Sequence, residues 1–289
     1  MQLFESFPES EYLLANSDVA SAVGTGQFLS GLEHYVIHGF NEDRQGVSTP
    51  FSTQFRTFVK GAVQMTPPAE LRERVHGDAN LEAFENAGRI AAFHLAFHLR
   101  RMSGCSHIGK VLDFGCGCGR ILKYLPLSLG FDSLSGVDVD KESIDWSRRC
   151  LGGIARFVSS ETTPPLPFGD GSFDLVYAVS VFTHLPQKLQ FIWLAELRRV
   201  LSPGGYALIS THGPALLSKY DPSAIQEFLN QGFHFQTLSR AKGLPCYYQT
   251  SYHSEKYISE NWSSFFEIVG IVQRGVLHHQ DLIIMRRTG

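Results

Sequence analysis

Short apolar runs alternate with amphipathic stretches along the middle of the chain. Residues 111–114 and 174–181 are nearly uncharged and have ordinary strand length, which is typical of parallel strands covered on both faces. After the first run, Ile121, Leu122 and Leu125 recur at helical spacing, and after the second a helix opens at Pro186. This alternation of strand and helix predicts a parallel sheet with right-handed crossovers.

The C-terminal end shows a different pattern, in which two strand-like runs follow each other closely. Residues 265–272 and 281–286 are rich in β-branched and other apolar residues, and only residues 273–280 separate them. Because so short a connection leaves no room for a crossover helix, the pattern predicts an antiparallel hairpin.

The composition is that of a globular protein without general affinity for nucleic acid. The chain has 289 residues and a formal net charge of -3, and no basic run or stripe of Lys and Arg could track phosphates. No apolar stretch reaches membrane-spanning length, and residues 1–10 lack the pattern of a signal peptide. Five cysteines at irregular spacing indicate a reducing compartment, so we expect a cytoplasmic protein.

The most informative segment is the glycine-rich turn that ends the first predicted strand. Gly115, Gly117 and Gly119 follow that strand, and Asp138 ends a second short apolar run 19 residues after Gly119. Glycines let the backbone approach a ligand closely, and a carboxylate at this distance matches one that binds the two hydroxyls of a ribose. The spacing therefore indicates a nucleoside cofactor. A dinucleotide would require a glycine where Arg120 stands.

Three motifs, in order, resemble those of class I methyltransferases that depend on S-adenosylmethionine (SAM). They are D-x-G-x-G-x-G at 113–119, P-F-x-D-x-S-F-D-x-V at 167–176 and L-x-R-V-L-x-P-G-G at 197–205, with Asp138 between the first two. The resemblance implies an α/β, Rossmann-like sheet of seven strands, mostly parallel, with an antiparallel C-terminal hairpin. N-terminal helices and an insertion between strands 5 and 6 complete this expected fold.

The same resemblance implies roles for individual residues around SAM. The glycines frame its methionine part, Asp113 supports the turn and Asp138 holds the ribose. Residues 158–164 depart from the usual family pattern, so either Glu161 or Ser160 is expected to contact adenine. The residues assigned to cofactor binding are Asp113, Gly115, Cys116, Gly117, Gly119, Asp138, Val139, Ser160, Glu161, Ser180 and Val181.

Cys116 and Cys118 do not indicate a metal site, because no C-x-x-C pair or nearby histidine cluster completes a tetrahedral ligand set. We predict no bound metal and interpret both residues as small side chains at a point where backbone must approach the cofactor.

Candidates for catalysis are histidines that follow predicted strands. Methyl transfer from SAM is an in-line displacement that needs alignment and exclusion of water, and a hydroxyl acceptor also needs a general base. His184 follows the fourth strand, where the resemblance places it beside the methyl group. His212 follows the fifth strand and is the second candidate, with His253 the third. The alternative for His184 is a structural role in capping or packing.

The residues before the first strand are expected to form two helical pieces. Residues 1–50 resemble a helical module that is often joined to bacterial glycosyltransferases and surface-polysaccharide proteins, although docking for stability or homodimerisation is an equal alternative. Residues 51–104 resemble lid helices, and an apolar stripe near their end is formed by Ala91, Ala92, Leu95, Ala96 and Leu99. Phe84 and Arg89 are candidates to face the methionine end of SAM, with an exposed arginine as the alternative.

We therefore predict a methyltransferase domain over residues 105–289, with an aromatic insertion at about 212–262 that covers the substrate. Its acceptor is expected to be a small molecule or a sugar in glycan or secondary-metabolite biosynthesis, and its product S-adenosylhomocysteine (SAH). The alternatives are an NAD(P)-dependent oxidoreductase and a catalytically silent binding protein that keeps the fold.

Overall fold

The computed structural model describes residues 3–105, 107–219, 222–236 and 249–289. Its α-helices are α1 (Glu9–Ala15), α2 (Ser17–Gly24), α3 (Gly31–His34), α4 (Thr49–Gln64), α5 (Ala69–His76), α6 (Leu81–Ser103), α7 (Leu125–Ser128), α8 (Lys141–Cys150), α9 (Gln187–Val200), α10 (Pro222–Gln231) and α11 (Glu255–Asn261). Its strands are β1 (His107–Phe114), β2 (Gly130–Asp138), β3 (Arg156–Ser159), β4 (Phe173–Ala178), β5 (Leu201–Thr211), β6 (Phe233–Gln236), β7 (Thr250–His253), β8 (Glu267–Val276) and β9 (Gln280–Arg286).

Seven strands form one sheet in the order β3-β2-β1-β4-β5-β9-β8. The pairs β2–β3, β1–β4 and β4–β5 are parallel, whereas β9 runs antiparallel to both β5 and β8. The predicted mostly parallel, Rossmann-like sheet with an antiparallel C-terminal hairpin is therefore confirmed. In this order the carboxyl ends of β1, β2 and β4 meet at one edge, where ligands of open α/β sheets bind.

The core of the sheet comes from the apolar runs that predicted its strands. Leu112 on β1 and Val176 on β4 are fully buried, and they join one cluster with Leu194 and Leu197 of α9. Ile192 of α9 is 39% exposed, because it lies five positions before Leu197 and an α-helix completes a turn every 3.6 residues.

The C-terminal hairpin is tighter than its sequence suggests. The predicted connection, residues 273–280, shrinks because β8 extends to Val276 and β9 begins at Gln280. Leu277 and His278 form the turn with positive φ angles of 56° and 52°, and the His279 N–H donates to the Val276 carbonyl at 3.0 Å. The sequence does not predict so short a turn, because the residues with left-handed backbone are Leu277 and His278 rather than glycine or asparagine.

The insertion between β5 and β8 contains α10, the two-stranded antiparallel sheet β6–β7, and α11. Leu217, Phe228 and Tyr252 form a small apolar cluster of its own. Part of the aromatic pattern is therefore internal packing. Tyr220, Tyr247 and Tyr248, which also belong to that pattern, lie outside the described residues.

The chain divides into two compact units. Unit 1 comprises Met1–Phe97 and Arg120–Gly130, and unit 2 comprises His98–Gly119 and Phe131–Gly289. The sequence boundaries expected near residues 50 and 104 stay predictions. Among the described residues, no helix is both long enough and apolar enough to cross a membrane.

Unit 1 buries Lys123 and Tyr124, which stand between the apolar positions Leu122 and Leu125 of a helical pattern. The segment after the glycine turn forms only a short 3-10 helix (Leu122–Tyr124) and α7. Lys123, 1% exposed, lies 2.8 Å from the carboxylate of Glu85, to which the Tyr124 hydroxyl also donates at 2.6 Å. A buried charge is tolerated when it is paired in this way.

The alternative of an exposed Arg89 is wrong, because the residue is 3% exposed and its guanidinium makes contacts inside unit 1, while its placement at the methionine end of SAM stays a prediction. Its Nε donates to the Val36 carbonyl at 2.8 Å, and the group lies over the Phe40 ring. Phe84 is fully buried beside His76 in the same unit. The five residues of the predicted apolar stripe on α6 are all buried.

Candidate functional site

The glycine turn joins β1 to the next segment and is fixed by the end of β2. Gly115, Gly117 and Gly119 have φ angles of +77°, +52° and +74°, a region in which only glycine is unstrained. The Val137 carbonyl accepts the N–H groups of Gly115 at 2.8 Å and Cys116 at 3.1 Å. The turn is thus folded back onto the neighbouring strand.

Asp138, the last residue of β2, places its carboxylate against this turn. Its Oδ2 accepts the Gly117 N–H at 2.7 Å, and its Oδ1 accepts the Asp140 N–H at 2.8 Å. Burial raises the pKa of the carboxyl above its usual value, while the two backbone donors act in the opposite direction. Gly117 and Asp138, which are 21 residues apart in the sequence, are therefore in direct contact.

Space around the turn is tight, as close backbone packing requires. A Cβ on Gly115 would lie 2.3 Å from Cγ2 of Val181, and one on Gly119 would lie 2.5 Å from Cδ1 of Leu151. A Cβ on Gly136 of β2 would lie 2.8 Å from Sγ of Cys116. Cys116 therefore packs its side chain beneath the turn, and burial raises the pKa of its thiol well above the usual value.

The hydrogen bonds of the turn differ from what a pyrophosphate site needs. Four of its N–H groups are engaged within the protein: Gly115 and Cys116 bind Val137, Gly117 binds Asp138, and Gly119 binds the Cys116 carbonyl at 2.9 Å. A dinucleotide-binding turn instead directs N–H groups at the start of a helix towards phosphate oxygens.

Asp113 lies in β1 just before the turn and is 3% exposed. Its register partner on β4 is Tyr177, and burial together with the nearby Asp113 carboxylate raises the pKa of the Tyr177 phenol. The role of Asp113 in supporting the turn stays a prediction.

Three further predicted residues lie at the same edge, beyond Asp138. Val139 is 37% exposed, which is unusual for an apolar side chain next to a buried carboxylate. The Ser160 N–H donates to the Asp138 carbonyl at 2.9 Å, and Glu161, the next residue, is exposed. Asp140, by contrast, caps the N-terminus of α8 by accepting from the Glu142 and Ser143 N–H groups.

Ser180 and Val181 follow β4, and Val181 lies against the turn. Ser180 has a φ of +60°, and its N–H donates to the Ser210 hydroxyl at 2.8 Å. Val181 is the side chain that would collide with a Cβ on Gly115. The glycine turn therefore contacts Val181 on one side and Asp138 on the other.

His184 belongs to the 3-10 helix Phe182–His184 and is tied to the insertion. Its Nδ1 lies 2.5 Å from the Gln249 carbonyl, and the Gln249 N–H donates to the His184 carbonyl at 3.1 Å. Because a carbonyl only accepts, Nδ1 carries the proton and Nε2 the lone pair. Burial lowers the pKa of His184, and the hydrogen bond to Gln249 partly offsets this.

His212 follows β5, and its ring centroid lies 6.1 Å from that of His184 in an edge-on arrangement. Its backbone forms a bridge with Tyr252, and its carbonyl accepts the His253 N–H at 2.8 Å. Burial lowers the pKa of His212 to about 4, and the neighbouring His184 and His279 act in the same direction. The structure thus brings together the two leading histidine candidates.

His253, the third candidate, lies in the core. Its Nε2 donates to Oε1 of Gln190 at 2.9 Å, and its ring packs against Phe233 and Trp262. Burial lowers its pKa to about 3. Sequence reasoning missed the hairpin residues His279, whose ring is 6.1 Å from His212, and Gln280, which contacts Ser180. Neither is part of a motif.

Comparison with known proteins agrees with the expected family. A family model described as a methyltransferase domain matches residues 112–209. The chain is 35% identical to the chloroplastic tocopherol O-methyltransferase of Arabidopsis thaliana over 49% of its own length and 39% of that protein's. It is 32% identical to phthiotriol/phenolphthiotriol dimycocerosates methyltransferase 1 of Mycobacterium ulcerans, over 55% of this chain and 54% of that one. The chain therefore spans about half or less of these curated relatives.

The fold is also similar to a solved methyltransferase structure. The crystal structure of the 1,6-didemethyltoxoflavin N1-methyltransferase of Burkholderia thailandensis, with its substrate and SAH bound, matches 80% of this chain and 89% of its own. The TM-score is 0.52 and the sequence identity 19%, a likeness that shows the shared fold.

Proposed function

We propose that the whole protein transfers a methyl group from SAM to a small-molecule or sugar acceptor, because residues 112–209 match a family model described as a methyltransferase domain. The observation that carries the proposal is the contact of Asp138 with the glycine turn. This arrangement places a buried carboxylate, tight glycine backbone and an exposed apolar Val139 at one edge of the sheet, which fits a nucleoside followed by an amino-acid tail.

Each part of SAM finds a suitable group at this edge. The carboxylate of Asp138 would accept hydrogen bonds from the ribose hydroxyls, and Val139 would offer apolar surface to the base, with Ser160 or Glu161 beside it. The methionine part would lie along the glycine turn, between it and Ser180. When bound, SAM supplies a methyl group on a sulfonium, a carbon already activated for in-line displacement.

His184 is proposed as the general base for a hydroxyl acceptor. Its Nε2 carries the lone pair, and its lowered pKa keeps it neutral near pH 7. His212, whose pKa burial lowers to about 4, is poorly suited to take a proton near pH 7. We therefore assign proton removal to His184, and we propose that His212 is a neutral polar residue beside it.

The insertion is proposed to wall the acceptor site. Two contacts support this: the pair of hydrogen bonds between His184 and Gln249, and the bridge between His212 and Tyr252. Both candidate histidines are thereby tied to the insertion. The four described cysteines are unbridged, in keeping with the reducing, cytoplasmic location that we propose. The N-terminal module and homodimerisation stay predictions.

Calorimetric titration with SAH tests the proposal, with NADH as the competing ligand. We expect saturable SAH binding at one site per chain and no heat from NADH. Replacing Asp138 by Asn should weaken SAH binding about 10- to 100-fold, because a charged acceptor of two hydrogen bonds is lost. Binding of NADH in preference to SAH would support the oxidoreductase instead, and binding of neither would indicate a silent member of the fold.

A further inference from the structure

Ser180 has a backbone conformation that residues with a side chain rarely adopt. Its φ of +60° lies in the left-handed region, two residues beyond the end of β4. Such a conformation is unfavourable for any residue with a Cβ and persists only where surrounding contacts hold it. The contacts that hold Ser180 therefore determine how the chain leaves β4.

The direction of the chain at this point matters because of the next residue. Val181 lies against Gly115, so closely that a Cβ on Gly115 would be 2.3 Å from Val181 Cγ2. If Ser180 relaxed to an ordinary conformation, Val181 would move away from the glycine turn. The wall of the proposed SAM pocket thus depends on the conformation of Ser180.

Two side chains hold Ser180, and they come from different parts of the chain. The hydroxyl of Ser210 on β5 accepts the Ser180 N–H at 2.8 Å. The side-chain amide of Gln280, at the start of β9, donates to the Ser180 hydroxyl at 2.9 Å. Gln280 is 9% exposed, so water competes little for this hydrogen bond.

The hairpin that contains Gln280 has unfavourable backbone conformations in its turn and just before it. Leu277 and His278, in the three-residue connection 277–279, both have positive φ, a conformation for which Asn and Gly are the preferred residues. Arg274 is also left-handed, and its N–H donates to the buried Asp281 carboxylate at 2.8 Å. Unfavourable conformations held on both sides of one contact indicate that the contact has a function.

We propose that Gln280 is a positioning residue of the methyl-donor pocket, which holds Ser180 in its left-handed conformation and thereby keeps Val181 against Gly115. Gln280 does not touch the reacting atoms. It acts through Ser180, and this role rests on the proposed function because it assumes that the pocket binds SAM.

Titration with SAH tests the role of Gln280. Gln280→Leu should raise the dissociation constant about 3- to 10-fold, the worth of one neutral hydrogen bond. Gln280→Glu should restore most of the affinity, because a carboxylate of the same length can accept from the Ser180 hydroxyl. Gln273→Leu is the matched control: this glutamine of β8 is exposed and donates to the Glu255 carboxylate, so its loss should leave SAH affinity unchanged.

Two substitutions of Ser180 separate positioning from direct contact with the ligand. Both remove the hydroxyl, but glycine adopts positive φ freely and alanine does not. Ser180→Ala should therefore weaken SAH binding at least about threefold more than Ser180→Gly. In the Ser180→Gly background, Gln280→Leu should add no further loss, since its partner is gone.

The outcomes distinguish this inference from the proposed function. If the wild-type protein does not bind SAH, the proposed function fails. If the wild type binds SAH and Gln280→Leu binds equally well, or if Ser180→Ala and Ser180→Gly lose affinity equally, the positioning role alone is overturned. Thermal melts of each variant identify a misfolded protein, and should Gln280→Leu not fold, the Ser180 pair decides.

Discussion

The imidazole of His184 donates its Nδ1 proton to the backbone carbonyl of Gln249 across 2.5 Å, and this bond fixes the tautomer of the ring. The same contact can serve catalysis, by presenting Nε2 as a base, or structure, by tying the insertion to the end of β4. These two roles make different demands on the two ring nitrogens, so substitutions can separate them.

His184→Asn should keep the structural bond and abolish the base. An asparagine amide nitrogen can take the place of Nδ1 and donate to Gln249, but no proton acceptor remains at the position of Nε2. We expect turnover on a hydroxyl acceptor, measured as SAH release across a panel of phenols and sugars, to fall about 100-fold or more. The SAH dissociation constant should stay unchanged. Near-normal turnover of His184→Asn would leave His184 with a structural role only.

Substitutions of Asp138 and Asp140, two residues apart at the end of β2, should affect different properties: SAH affinity for Asp138 and stability for Asp140. Asp138→Asn should reduce SAH affinity as described above, with a smaller change in stability. Asp140→Ala removes the N-cap of α8 and should lower the free energy of unfolding by about 1 kcal/mol, with SAH affinity retained. Urea unfolding and calorimetry measure the two effects. Loss of SAH affinity in Asp140→Ala but not in Asp138→Asn would reverse the assignment of the ribose carboxylate.

Gly115→Ala should combine two costs that a matched variant separates. Gly104 has a similar φ of +71° but open space around a Cβ, so Gly104→Ala reports the backbone cost alone, about 1 kcal/mol. Gly115→Ala adds the collision with Val181 and should cost about 1–3 kcal/mol more.

Val181→Ala removes the colliding methyl groups and should recover part of the loss in the Gly115→Ala background. Urea unfolding of Gly104→Ala, Gly115→Ala and the Gly115→Ala/Val181→Ala double variant provides the measurement. Equal destabilisation by Gly104→Ala and Gly115→Ala would contradict the tight packing of the turn.

His212 should make stability depend on pH on the acidic side of neutrality. Its folded-state pKa of about 4 lies below the ordinary 6.5, so between these pH values the unfolded chain binds a proton at His212 and the folded chain does not. The contribution of His212 to the free energy of unfolding is therefore constant above pH 6.5 and is lost as the pH falls towards 4. Between pH 7 and pH 5 this amounts to on the order of 2 kcal/mol.

His212→Asn should therefore flatten the pH dependence of the free energy of unfolding, measured by urea titration at several pH values. His107→Asn is the control, because the His107 side chain is 59% exposed. Parallel pH dependences for wild type and His212→Asn would show that the buried imidazole is not held neutral.

Lys123 and Glu85 should show strong coupling in unit 1. Lys123→Met leaves the Glu85 carboxylate buried without its cation and should cost about 3–5 kcal/mol of stability. Adding Glu85→Gln removes the stranded charge and should recover much of that loss. The exposed Lys60→Met is the control and should be nearly neutral. Additive losses in the double variant would mean that the two side chains do not interact.

The sequence predicts the sheet and the glycine turn because both depend on local patterns. Uncharged runs marked β1 and β4, and the spacing from Gly119 to Asp138 reflected the distance between neighbouring strand ends. In such cases residues near each other along the chain, or related by one crossover, determine the structure. The pattern therefore contains the information.

Long-range partners were not predictable in this way. Lys123 and Tyr124 occupy the polar positions of a helical pattern, yet Glu85, 38 residues before Lys123, draws both into the interior. The partner of His184 is a backbone carbonyl, a group that every residue has. Gln280 meets Ser180 across 100 residues. None of these contacts leaves a signature in a single sequence.

The division of unit 1 between two stretches of chain limits how this protein can be shortened. A fragment that began after residue 104 would correspond to the predicted methyltransferase domain, residues 105–289. It would nevertheless retain Lys123 and Tyr124 while discarding the carboxylate of Glu85 that both of them bind. A fragment lacking residues 1–104 is therefore not expected to fold as it stands. A truncated version for crystallography or fusion would need polar substitutions in residues 120–130, whose buried partners would be missing.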